Sequence, residues 1–153
     1  MKTVISTWLA ACIVVVSVMP LAAHHPFTPY FDASKFASVT GTIAEFRYQN
    51  PHVVLIVEGP GPGGRTGRWA FEGKAPNAFR TQGVNVRTRL TMGLRVTVSG
   101  WQATDPSVPV FAGYEVTFAD GSKMSFGTTP QQHDQWHCLS PDPCPYKYPD
   151  VGP

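Results

Sequence analysis

Between residues 39 and 126 the chain alternates apolar and polar residues with a period near two, and clusters of Gly and Pro cut that alternation into short pieces. Successive side chains of a strand point to opposite faces, so the pattern specifies strands and restricts the domain to a mainly β fold. Residues 39–48 carry Val39, Gly41 and Ile43 on one face, then Ala44, Phe46 and Tyr48 on the other. Such a phase flip beside a glycine predicts a bulge or a sharp bend. Asn50-Pro51 predicts a turn, and residues 52–58 are apolar enough for a strand covered on both faces. The glycines and prolines from Gly59 to Gly64 predict a hairpin loop leading to a third strand over 68–72.

One helix is expected, over residues 76–82, because Pro76 suits a first helical turn and Gly83 suits a stop. A strand follows over 94–101, where Leu94, Val96 and Val98 alternate with Arg95, Thr97 and Ser99. A last meander contains residues 114–118, a turn at Asp120-Gly121, and residues 123–126. Three strands, a short helix between strands 3 and 4, and two further strands is the order of a five-stranded OB-like β-barrel. An open sandwich of the same strands is the alternative. From Thr128 onward Pro130, Pro141, Pro143, Pro145, Pro149 and Pro153 replace the aliphatic residues, which predicts a Pro-rich flexible C-terminal tail without its own core.

The N-terminus reads as an address. Met1-Lys2 is followed by an apolar run over 4–19 and then by Leu21-Ala22-Ala23, the layout of a cleavable signal peptide. The expected organisation is therefore a signal peptide over 1–23, an OB-like barrel over 24–127 and a tail over 128–153, in a periplasmic or secreted protein. No stable membrane anchor is expected, since the run is short for a bilayer span. Lipoprotein processing at Cys12 is the competing reading of the same segment. Loss of residues 1–23 leaves 130 residues with 11 Lys and Arg against 10 Asp and Glu. So even a balance argues against nucleic acid and against anionic membrane as partners. In an oxidising compartment Cys138 and Cys144, with five residues between them, suit a disulfide loop; zinc on these two with His133 and His137 is the other reading.

Ala23-His24-His25, Phe31-Asp32, Gly41-Thr42-Ile43, Asn50-Pro51-His52, Trp69-Ala70-Phe71-Glu72, Pro76-Asn77-Ala78 and Gly93 follow one another in an order that resembles a family of small exported bacterial proteins. That family is known only as a domain of unknown function. The resemblance covers roughly residues 23–127 and implies a single exported β domain, not an activity. A fainter echo comes from Phe71-Glu72-Gly73, Pro76, Phe79-Arg80 and Gly83, with His133-Asp134 in the tail. These look like the periplasmic OB-fold haem chaperone of cytochrome c maturation. In that family a tail histidine holds haem covalently, but the tail here reads His-Asp-Gln-Trp-His and lacks the glutamate and tyrosine of that pattern.

His24 and His25 carry the chemistry most suggestive of function. Cleavage after Ala23 gives His24 a free α-amine beside its own imidazole, and those two nitrogens can chelate one copper ion. A second imidazole completes a T-shaped set of three nitrogens suited to copper. His52, at a strand mouth after Asn50-Pro51, is the candidate for that ligand. Cleavage after Ala22 instead places His25 third from the terminus, where it can bind copper with the amine and two backbone amides. Asp32 and Glu72 are candidate carboxylates behind the ligands, Glu72 lying on the face of its strand opposite Trp69. Zinc suits the histidines less well. Against this stands a flexible polar N-terminus with His52 hydrogen-bonded inside its turn.

No Ser/His/Asp order, paired carboxylate or phosphate loop stands out, so no enzyme is expected. Two functions remain. The first is a periplasmic binding module that takes up copper through His24, His25 and His52. The second is a barrel binding a protein, glycan or small ligand, a haem-chaperone-like role included, with incidental histidines.

Overall fold

A computed structural model of the chain describes residues 27–83, 85–134 and 148–152. Its strands are β1 (Phe31–Arg47), β2 (Val54–Pro60), β3 (Thr66–Glu72), β4 (Arg95–Ala103), β5 (Val110–Phe118) and β6 (Lys123–Ser125). Helices α1 (Pro76–Thr81) and α2 (Val86–Arg89) lie between β3 and β4, and α3 (Pro130–Asp134) follows β6. Hydrogen-bonded neighbours run β3-β2-β1-β4-β5-β6, and β3 also pairs with β5 in parallel through Ala70, Phe71 and Glu72.

The chain is mainly β, as its alternation requires, but the expected five strands and single connecting helix are corrected, among the described residues, to six strands and two helices between β3 and β4. The sixth strand has three residues and returns from the Asp120-Gly121 turn to place Met124 against Val116. Helix α2 has four residues and no capping side chain, so nothing in its composition announced it. Strand β1 begins at Phe31, well before the alternation becomes regular at Val39. Residues 33–36 are exposed, so burial imposed no pattern on them.

The phase flip in β1 is a bulge. Its register against β2 shifts between Ile43 and Glu45. One extra residue turns Phe46 and Tyr48 back toward the cluster that holds Val39 and Ile43, while Ala44 packs on the other side. Strand β2 is covered on both faces. Val53, Leu55 and Val57 enter one apolar cluster, with Phe71, Phe111, Val98 and Phe126, and Phe71 stacks on Phe111 at 4.7 Å between centroids. Val54 and Ile56 enter a second cluster with Phe27, Phe31, Ala70, Val110 and Ala112. Trp69 sits in the first cluster and donates its indole N–H to the Gly59 carbonyl at 3.0 Å, which satisfies a buried donor.

The chain's C-terminal residues return to the second cluster. Tyr148 donates its hydroxyl to the Tyr30 carbonyl at 2.6 Å and sets its ring edge-on to Phe31 at 6.0 Å. Arg47 donates to the Asp150 carbonyl at 2.6 Å, and Val151, like Tyr148, packs against the second cluster. Among the described residues no helix is long and apolar enough to cross a membrane.

Candidate functional site

The extended segment from Glu72 to Lys74 is held from two sides by backbone hydrogen bonds. Gly73 N–H donates to the Val53 carbonyl at 2.8 Å and Val53 N–H to the Lys74 carbonyl at 3.1 Å, while Lys74 N–H donates to the Phe126 carbonyl at 2.9 Å. The three strands of chain lie close because Gly73 has no side chain. A Cβ there would stand 2.7 Å from Phe126 Cε1 and 2.8 Å from Val53 Cγ2, nearer than real contacts allow. At Gly127 a Cβ would strike the Gly113 carbonyl. This frame fixes His52, one residue before Val53, directly beside Glu72.

The His52 ring is oriented by two contacts. Its Nδ1 lies 2.9 Å from the Gly73 carbonyl oxygen and 3.4 Å from Glu72 Oε1, and both side chains are buried. A carbonyl oxygen only accepts, so Nδ1 carries a proton and the neutral ring has its lone pair on Nε2. Metal-binding histidines are held in this way, one nitrogen donating to a carbonyl and the other facing the ion. Glu72 occupies this position because β3 alternates: Trp69 and Phe71 enter the first cluster, and Ala70 and Glu72 take the opposite face.

His52 and Glu72 line a cavity of about 520 Å³. Phe31, Ala78 and Ala112 give it apolar wall, and Lys74, Asn77 and Gln132 contribute polar groups. Lys74 Nζ donates to Ser125 Oγ at 2.8 Å, and burial pushes its amine below the usual lysine value. Volumes of this order belong to sites for small molecules as well as for ions.

The remaining residues singled out by sequence are dispersed. Asp32 does not line the cavity. Its Oδ1 accepts from Ser34 N–H at 2.9 Å and from the Ser34 hydroxyl at 2.6 Å, and Lys35 Nζ lies 3.0 Å from Oδ2. Those contacts, the Ser34 hydroxyl foremost, lower its pKa to about 2. His24 and His25, Cys138 and Cys144, the signal segment over 1–23 and His137 lie outside the described residues, as does the side chain of His133. Among the described residues no three His, Cys, Asp or Glu side chains gather as a metal site. His52 with Glu72 supplies two.

Sequence reasoning missed Lys74 and Phe31 as cavity residues. Lys74 was accessible to it, since it follows Glu72 by two positions in extended chain and so shares its face. Phe31 was not, because the contact joins positions remote in sequence.

The chain belongs to the family of unknown function DUF6152, which matches residues 11–109. No curated protein and no solved structure matches it.

Proposed function

We propose that the chain is an exported binding module, built on an OB-like barrel, that takes up a copper ion at the cavity through His52 together with His24 and His25. The OB-like reading is supported by the pairings β1-β2, β2-β3, β3-β5, β5-β4 and β4-β1, which return to their starting strand, and by the helices between β3 and β4. Strand β6 is an addition to the five.

The observation that carries the copper reading is the His52 ring on the cavity wall, its Nδ1 held by Gly73 O at 2.9 Å beside buried Glu72. A carboxylate next to an imidazole favours a cation, since each negative charge offsets part of the cost of bringing the ion out of water. Chain length supports the other two ligands. His25 precedes Phe27 by two residues, which bounds the separation of their Cα atoms at about 7 Å. The Phe27 ring packs 5.5 Å from Phe31, and Phe31 lines the cavity. Nitrogen donors from imidazoles and a terminal amine suit copper above zinc.

Calorimetric titration of the mature protein, its N-terminus sequenced to fix cleavage after Ala22 or Ala23, tests this. Tight copper binding that weakens about a hundredfold in the His24→Ala, His25→Ala variant is expected, about 2.7 kcal/mol. Equal affinity in that variant refutes the reading.

A further inference from the structure

We propose that the same cavity binds a small organic carboxylate, with its anionic end on the Lys74 ammonium. Lys35 and Lys123 stand on the surface and each pairs with a carboxylate, Asp32 at 3.0 Å and Glu115 at 2.9 Å. Lys74 is more withdrawn from water than either, yet among the described residues no carboxylate lies within ion-pair distance of its Nζ. Its hydrogen bond goes to the neutral Ser125 hydroxyl. An ammonium in that position gains more from an arriving anion than a solvated one does.

The rest of the wall selects an organic anion over an inorganic one. The cavity, at about 520 Å³, is several times the size of a lone oxyanion. Phe31, Ala78 and Ala112 offer apolar surface to a carbon chain, and Asn77 and Gln132 supply neutral hydrogen-bonding groups around it. Glu72 and His52 lie on the wall too, so the carboxylate must seat at Lys74 and extend its uncharged part away from Glu72.

This inference shares the cavity with the copper reading but does not depend on it, because its test uses metal-free protein. Hexanoate is titrated into the isotopically labelled mature chain, freed of metal by dialysis against a resin, and amide shifts are followed. Saturable shifts at Gly73, Lys74 and Gly127 are expected. Lys74→Met weakens binding about tenfold or more, while Lys74→Arg and Lys123→Met stay within about threefold of the parent. The alcohol 1-hexanol, which keeps the tail and lacks the charge, binds about tenfold more weakly than hexanoate. Absent shifts, or equal affinity in a folded Lys74→Met protein, overturn the proposal. So does inorganic phosphate that competes as tightly as hexanoate, since the site then reads charge alone.

Discussion

The two apolar clusters are assembled from different parts of the chain. The first draws Val39, Leu55, Phe71, Phe111 and Phe126 from the stretch in which apolar and polar residues alternate. The second is formed where Val54, Ile56, Ala70 and Ala112 meet segments from both ends of the described chain, Phe27 and Phe31 from one and Tyr148 and Val151 from the other. The first cluster is continuous with the strand ladder, so its packing and the fold are one cooperative unit. The second fastens the segments around Phe27 and Tyr148 to the sheet, and its Phe31 is both a buried core residue and part of the cavity wall. The difference separates what makes the fold from what shapes the site.

Two substitutions bear on that separation. Phe71→Ala removes a fully buried ring stacked on Phe111 and is expected to cost about 3–5 kcal/mol in denaturant unfolding, a large share of the stability of an ordinary domain. Tyr148→Phe keeps the ring and removes only the hydroxyl bonded to the Tyr30 carbonyl. That carbonyl still accepts from Thr104 N–H at 2.9 Å, so the loss is expected to stay under about 1 kcal/mol. Its signature is local: amide exchange quickens around Tyr30 and Phe31 while the first cluster keeps its protection. Uniform quickening across both clusters would show them to be a single unit and remove the distinction.

The sequence made the first cluster legible and left most of the second hidden. The phase flip in the alternation identified the bulge near Ala44, an apolar run the doubly covered strand after His52, and Pro76 with Gly83 the helix between them, because each leaves a local mark. Residues 31–38 bear no such mark: the strand there is exposed at Lys35 and Phe36 and held by backbone pairing with β4. The docking of Tyr148 on Tyr30 rests on one hydrogen bond and a ring contact spanning most of the chain, which no local pattern encodes. At the site, His52 and Glu72 were named separately for their chemistry. Their proximity follows from the antiparallel pairing of β2 and β3, which sets Val54 opposite Glu72. Asp32 was named for its type alone, and the Ser34 and Lys35 side chains beside it occupy its oxygens.

The central claim, a copper ion held by His52 with the N-terminal histidines, is tested most directly by electron paramagnetic resonance of the mature protein carrying one equivalent of Cu(II). The account predicts superhyperfine splitting from nitrogen donors, with one nitrogen fewer in a folded His52→Ala protein. A spectrum identical in parent and His52→Ala would place the ion elsewhere and contradict it.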